Sequence, residues 1–178
     1  VLLKAYIEWG ERILARLNGI FSFAVYDKRE QCLFMARDRF GIKPLFYSFD
    51  GARLAFASTV SAIMTVPWVK KEISNETIFT FLKFSHIPSP ASIIDNIRQV
   101  KPAHYIKYRH GSFTQTEYLN STEISNPGGT QDLHESAFIE QLDYSLMKSV
   151  KAQSVSDVPL GSFLSGGIDS SLISYYLA

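Results

Sequence analysis

The stretch Val158-Pro-Leu-Gly-Ser-Phe-Leu-Ser-Gly-Gly-Ile-Asp-Ser170 decides how the C-terminal part of this chain folds. Its first half, residues 158–164, is short and apolar, and it predicts a buried strand. A Gly-rich turn at residues 165–170 follows, and the apolar pattern after it predicts a helix over residues 170–178. A strand, a Gly-rich turn and a helix in this order indicate the start of an α/β domain.

The Gly-rich turn (residues 165–170) has the composition of an anion site. Gly166 and Gly167 allow the backbone to curl so that successive N–H groups converge, and the helix that follows adds its positive end. The hydroxyls of Ser165 and Ser170 can donate to phosphate oxygens. Asp169 would repel a bare phosphate, so we expect it to hold a Mg²⁺ ion that bridges to the phosphates.

Other Gly-rich turns are excluded by residue identity. Residues 160–171 contain no Lys, which the common mononucleotide loop requires, and no Gly-x-Gly-x-x-Gly pattern. The turn of a hydrolase nucleophile has Gly two residues before the Ser, where this chain has Phe163. A turn that binds nothing is the alternative that remains.

The N-terminal part has a different pattern. Apolar spacing over residues 1–17 predicts an amphipathic helix interrupted near Gly10, and Ser74 is the expected N-cap of a second helix. At Asp50-Gly51 we expect a tight hairpin turn with positive φ at both positions. Six strands are predicted, of which the first is covered on both faces and the first four form one antiparallel meander: residues 20–26, 32–36, 45–49, 53–57, 104–108 and 112–119.

A polar segment with the chain's only Pro-Gly-Gly, residues 120–132, is predicted to link two domains. After it, apolar residues recur every fourth position from Phe138 to Val150, which predicts a helix of about five turns. We therefore expect one domain at residues 1–119, a linker at 120–132 and a second domain at 133–178. The fold class is α+β followed by the start of an α/β domain.

Composition limits the functional classes. The 178 residues are 46% hydrophobic and carry a net charge of +1, which excludes a disordered chain and gives no reason to expect a nucleic-acid partner. Cys32 is the only cysteine, no apolar stretch approaches the roughly 20 residues that cross a bilayer, and no secretion signal is recognisable. We expect a cytoplasmic protein without membrane contact, and we interpret Cys32 as a buried core thiol.

The Gly-rich turn resembles the pyrophosphate loop of ATP pyrophosphatases. With the lead-in Ser156-Asp-Val-Pro159, it resembles the version in glutamine-hydrolysing asparagine synthetases. The N-terminal part agrees, because Leu17-Asn-Gly-Ile-Phe-Ser-Phe-Ala-Val-Tyr-Asp27 and Ala36-Arg-Asp-Arg-Phe-Gly-Ile-Lys-Pro-Leu-Phe-Tyr47 resemble class II glutamine amidotransferase domains. His86-Ile-Pro-Ser-Pro-Ala-Ser-Ile93 resembles the segment that joins the two domains in this family.

The resemblance implies a fold and a reaction. Residues 1–119 would be the C-terminal part of an αββα N-terminal-nucleophile amidotransferase sandwich. Residues 133–178 would begin an adenine-nucleotide alpha-hydrolase-like domain. The enzyme would be a carbon–nitrogen ligase that takes the amido group from glutamine and converts aspartate to asparagine through β-aspartyl-AMP. Its small-molecule partners would be aspartate, glutamine and ATP, and the family allows a homodimer.

The resemblance also implies which residues bind the cofactors. ATP would be bound by Leu164, Ser165, Gly166, Gly167, Asp169 and Ser170, and Mg²⁺ by Asp169. In this family the glutaminase nucleophile is a Cys at the mature N-terminus, where this chain has Val1. We therefore expect an internal fragment of a longer enzyme, itself inactive, with no catalytic residue of its own.

Three alternatives remain open at this stage. A β-lactam synthetase-like enzyme or a polysaccharide-cluster amidotransferase would act on another carboxylate, and a chain of natural length would be a non-catalytic nucleotide-binding protein.

The charged residues Arg37, Asp38, Arg39 and Lys43 are expected to form a solvated turn or an ion-paired corner. The resemblance implies that they stabilise the fold or face another domain.

Overall fold

The computed structural model describes residues 1–119 and 134–178. The chain divides into two compact units, Val1–Asn126 and Pro127–Ala178. The first unit contains the elements α1 (Leu2–Trp9), a 3₁₀ helix (Gly10–Ala15), β1 (Ser22–Asp27), β2 (Cys32–Arg37), β3 (Phe46–Phe49), β4 (Leu54–Ala57), α2 (Val60–Met64), α3 (Asn75–Phe84), β5 (Arg98–Gln99), β6 (His104–Arg109) and β7 (Ser112–Glu117). The second contains α4 (Glu135–Gln153) and α5 (Ile168–Leu177).

The N-terminal helix breaks at the predicted glycine. Gly10 has φ 56°, which a glycine adopts without a steric cost, and the chain continues from there as a 3₁₀ helix. Ile13 and Leu14 of this turn are buried against Phe34 and Ala36 of β2. The helical segment thereby covers one face of the sheet that contains β2.

The strands form two antiparallel sheets, so the predicted four-stranded meander is wrong. One sheet has the order β1-β2-β6-β7, and the other has the order β4-β3-β5. The hairpins β1–β2 and β3–β4 are confirmed, but β2 pairs with β6 rather than with β3. Between the two hairpins, residues 38–44 turn the chain away from the first sheet, and β3 begins a second one.

The two sheets pack face to face. Met35 of β2 and Ile106 of β6 form one buried cluster with Leu45 and Val100, which flank β3 and β5. The opposite face of the second sheet packs on a cluster that contains Ile63 of α2. The first unit is therefore an α+β structure in which helical segments cover the outer faces of two antiparallel sheets.

Two local expectations need correction. The first strand is not covered on both faces, because Ala24 and Tyr26 on one face of β1 are exposed, Tyr26 by 59%. The β3–β4 turn is a hairpin, but Gly51 alone has positive φ, and the Asp50 carboxylate accepts the N–H groups of Ala52 and Arg53 at 3.1 and 2.8 Å. The Asp50 side chain therefore stabilises this turn, and Asp50 itself does not adopt the positive φ that was expected.

The expectation for the second helix is confirmed at its start. The Ser74 hydroxyl accepts the N–H of Thr77 at 3.2 Å, as an N-cap does. Most apolar side chains of α3 are exposed, and Thr77 is the residue of this helix that is buried. The predicted strands near residues 104–108 and 112–119 are present as β6 and β7.

The described residues of the second unit, 134–178, contain two helices. Helix α4 spans 19 residues and confirms the predicted five turns, and α5 follows the Gly-rich turn as expected. The buried strand predicted at residues 158–164 is wrong, since these residues are exposed and form no strand. A strand needs a neighbour to bond its N–H and C=O groups, and no described residue pairs with this segment. The predicted linker, residues 120–132, lies outside the described residues.

Candidate functional site

The Gly-rich turn forms the N-terminal end of α5. Gly166 has φ 80°, a conformation that residues with a Cβ rarely adopt. Gly167 is the N-cap and is extended, with φ −80° and ψ 160°. A Cβ built on Gly167 would lie 3.6 Å from the Ser165 hydroxyl oxygen, an ordinary contact. Of the two glycines, Gly166 is therefore the one whose backbone conformation requires a glycine.

The turn brings Ser165 and Ser170 together. Their hydroxyl oxygens lie 3.0 Å apart, and the Ser165 N–H donates to the Ser170 hydroxyl at 3.3 Å. The Ser170 hydroxyl in turn donates to the Gly167 carbonyl at 3.1 Å. These bonds close the loop on itself and hold both hydroxyls at one end of α5.

The start of α5 offers free backbone donors. The first intrahelical bond runs from the Ser171 N–H to the Gly167 carbonyl at 3.1 Å, and no side chain caps the helix. The N–H groups of Ile168, Asp169 and Ser170 precede that bond and point out of the helix end. Together with the helix dipole, these donors make the position suitable for an anion such as a phosphate.

Asp169 lies in the first turn of α5 and is exposed. Its carboxylate makes no hydrogen bond or ion pair within the described part of the chain, where no cluster of three His, Cys, Asp or Glu side chains exists. One free carboxylate beside backbone donors suited to an anion is a ligand of the kind that Mg²⁺ uses, since Mg²⁺ is commonly held by one or two carboxylates and by substrate phosphates. Leu164 precedes the turn, and its side chain is exposed.

Two serines beside the turn were not predicted from the sequence. The hydroxyls of Ser162 and Ser174 lie 2.9 Å apart, and Ser174 donates to the Ser170 carbonyl at 2.8 Å. The spacing of four residues from Ser170 to Ser174 was the available signal, because it places both on one helix face. These bonds connect the segment before the turn to the first two turns of α5.

The charged cluster at residues 37–43 is solvated only in part, with Lys43 exposed and Arg39 half-buried, and its residues form no ion pair within the described part of the chain. Arg37 is 5% exposed and Asp38 is 1% exposed. The Asp38 carboxylate accepts three backbone N–H groups, those of Phe40, Ile42 and Lys43, at 3.2, 3.0 and 2.9 Å. This set of bonds, which we call the Asp38 corner, turns the chain out of the first sheet.

The Arg37 guanidinium completes this corner from the other side. It donates to the carbonyl oxygens of Lys43 at 2.8 Å, of Val100 at 2.6 Å and of Gly41. Burial lowers the pKa of Arg37, and the nearby Asp38 carboxylate opposes that effect. These contacts support the fold-stabilising role that the resemblance implies for the charged residues.

Cys32 begins β2 and is buried, which confirms its interpretation as a core thiol. Burial raises the pKa of the Cys32 thiol, and the positive charges of Lys107 and Arg109 only partly oppose this. A thiol in this state is a poor nucleophile. Within residues 1–119 and 134–178, no helix is long and apolar enough to cross a membrane.

Comparisons with known proteins assign both parts of the chain. Residues 1–119 match the family described as glutamine amidotransferase domain, and residues 141–178 match asparagine synthase. Glutamine-hydrolyzing asparagine synthetases 3 and 1 of Bacillus subtilis are each 34% identical over 97% of this chain. Synthetase 2 of the same organism is 31% identical over all of it.

The chain spans 28%, 27% and 25% of the length of these three relatives. The match to the first family covers more than half of the chain. It falls on the unit whose two antiparallel sheets and helical outer layers have been described. By this match the protein belongs to the glutamine amidotransferase domain family.

Proposed function

We propose that this chain is part of an ATP-dependent, glutamine-hydrolysing asparagine synthetase. The reaction converts aspartate, ATP and glutamine to asparagine, AMP, pyrophosphate and glutamate. The observation that carries the proposal is the end of α5, where free N–H groups, two hydroxyls and one carboxylate meet in the part that matches asparagine synthase. An amidotransferase part lies in the same chain, and joining the two parts in one polypeptide allows ammonia production to be coupled to its use.

The Gly-rich turn binds the pyrophosphate portion of ATP in this proposal. Ser165, Gly166, Gly167, Asp169 and Ser170 form the loop, with the neighbouring Leu164 beside the nucleotide. Their N–H and hydroxyl donors are arranged before the reaction, so they stabilise the charge that develops on the leaving pyrophosphate. Mg²⁺ held by Asp169 and the phosphates would neutralise further charge.

The domain boundaries belong to the same proposal. Residues 1–119 are the C-terminal part of an αββα amidotransferase sandwich, 120–132 are the linker, and 133–178 begin the synthetase domain. The two packed sheets with helical outer layers support the sandwich. We assign Cys32 no role as the glutaminase nucleophile, because it is buried within β2 and has no free α-amine.

The test separates the two half-reactions of the whole enzyme. In the Asp169→Asn variant we expect aspartate-dependent pyrophosphate release to be lost and glutamine hydrolysis to continue, because only the ATP site is changed. The matched control is Glu140→Gln, which changes an exposed carboxylate on α4, away from the turn and its lead-in, and should leave both activities intact.

Two outcomes would contradict the proposal. Asparagine formation that survives in Asp169→Asn would remove the proposed role of the turn. Pyrophosphate release that depends on a carboxylate other than aspartate would show that the enzyme amidates a different acceptor.

A further inference from the structure

A polar cleft of about 260 Å³ lies between the start of α3 and the segment at residues 87–98. Backbone hydrogen bonds fix its walls. The Ser74 N–H donates to the Ile93 carbonyl at 3.1 Å, and the Asp95 N–H donates to the Glu72 carbonyl at 3.0 Å. On the far side, the Gln99 N–H donates to the Pro90 carbonyl at 2.8 Å. The α3 cleft is therefore formed before any ligand arrives.

The α3 cleft is lined by Thr77, a largely buried residue whose hydroxyl has no protein partner in the described part of the chain. Thr77 is 7% exposed and lines the cleft, and its hydroxyl makes no hydrogen bond within the described residues. Every fully buried side-chain oxygen or nitrogen in that part of the chain has a partner. The Thr77 hydroxyl must therefore retain its small accessible area, and the cleft is the open space beside it. This accessible hydroxyl has no partner among the described residues and is available to bond a ligand.

Charged side chains of both signs line the same cleft. Glu76 and Asp95 contribute two carboxylates and Arg98 one guanidinium, and none of them forms an ion pair within the described residues. The N–H groups of Asn75 and Glu76 lie at the first two positions of α3, ahead of its first intrahelical bond. The α3 cleft thus offers donors for an anionic group and acceptors for a cationic group.

We propose that the α3 cleft binds a free α-amino acid in its zwitterionic form. The ligand's carboxylate lies against Arg98, the Thr77 hydroxyl and the first N–H groups of α3, and its ammonium lies against Glu76 and Asp95. A simple anion such as phosphate is disfavoured by the two carboxylates. A metal ion is disfavoured by Arg98 and by the lack, in the described residues, of three clustered metal-binding side chains. This inference does not depend on the proposed function.

The experiment follows the backbone amide signals of residues 74–98 in the isotope-labelled full chain by NMR. Glycine, L-alanine and L-asparagine are the probes, and acetate and methylammonium are the controls that carry one charge each. We expect at least one amino acid to shift the signals of Thr77 and Asp95, while acetate and methylammonium at the same concentration shift neither. Signals from this segment distinguish the cleft from any substrate site elsewhere.

Variants test the contacts. Arg98→Met and Thr77→Val should each weaken binding by about tenfold or more, because each removes a hydrogen bond to a charged group. Lys83→Met is the matched control, since it removes a positive charge near the other end of α3. Absence of any shift with all three amino acids would overturn the proposal. Acetate binding as tightly as the amino acids, or unchanged binding in both cleft variants, would overturn it as well.

Discussion

The Asp38 corner shows how one side chain can determine the path of the backbone. Its buried carboxylate satisfies three N–H groups that have no strand or helix to bond them. In Asp38→Asn one acceptor oxygen becomes a donor that faces those N–H groups. We expect the free energy of unfolding to fall by about 3 kcal/mol, measured by urea denaturation.

The matched control for this change is Asp50→Asn. Asp50 also accepts two backbone N–H groups, but it lies in an exposed turn where water replaces the lost bonds. We expect a clearly smaller loss than for Asp38→Asn. Equal losses for the two variants would show that the burial of Asp38 does not determine how much its carboxylate contributes to the free energy of unfolding.

Gly41 provides a second test of the Asp38 corner. It has φ 66°, and an added Cβ would lie 2.9 Å from Pro102 Cγ and 3.0 Å from Arg37 Cζ. We expect Gly41→Ala to lower the free energy of unfolding by about 3 kcal/mol through backbone strain and overpacking. Gly51→Ala, at φ 95° with open space around it, should cost only about 1 kcal/mol. Similar losses of unfolding free energy in the two variants would indicate that backbone strain, without overpacking, causes the loss at Gly41.

Residue-scale prediction from sequence succeeded where the contacts are local. The N-cap at Ser74 bonds a residue three positions away, and local spacing was enough to find it. The buried state of Arg37 was missed, because one of its acceptors, the Val100 carbonyl, lies 63 positions away in the sequence. The binding roles of residues 164–170 remain predictions.

At the scale of elements, the sequence analysis predicted both early hairpins and the helices α1, α3, α4 and α5. It missed α2, β5 and the sheet order. A hairpin depends on its own turn, whereas the pairing of β2 with β6 joins residues about 70 positions apart. The apolar run at residues 158–164 met the pattern of a strand, yet pattern alone supplies no pairing partner. Sheet membership is therefore the level at which the sequence analysis failed.

The sheet order predicts unequal protection of backbone amides. Strands β2 and β6 have neighbours on both sides, whereas β1 and β7 form the edges of the same sheet. We expect amide hydrogens of β2 and β6 to exchange at least about tenfold more slowly on average than those of β1, because alternate edge amides lack a bonding strand. Hydrogen exchange measured by NMR checks this.

The control for the exchange experiment is β4, the edge strand of the second sheet. It should resemble β1 rather than β2. Protection of every β1 amide at the level of β2 would contradict the edge position and would indicate that a further strand pairs with β1.

At the scale of the whole molecule, half-buried tyrosines make the stability of the first unit depend on pH. Tyr6 packs between α1 and the first sheet, and Tyr47 packs between the two sheets. The Tyr118 hydroxyl donates to the Arg37 carbonyl at 2.8 Å. Burial is the largest cause that raises the pKa of each phenol, and it raises the pKa of Tyr118 from 10.0 to about 12.

The raised pKa values predict a loss of stability in alkali. Because the folded state holds the phenol neutral at a pH where the unfolded chain ionises, the contribution of Tyr118 is complete below about pH 10. It is lost as the pH rises to about 12. In Tyr118→Phe we expect the fall in the free energy of unfolding over this interval to be smaller by about 1 kcal/mol, discounted for partial exposure. Tyr26→Phe, which changes an exposed tyrosine, should keep the wild-type slope, and an identical slope in Tyr118→Phe would show that its phenol ionises equally in both states.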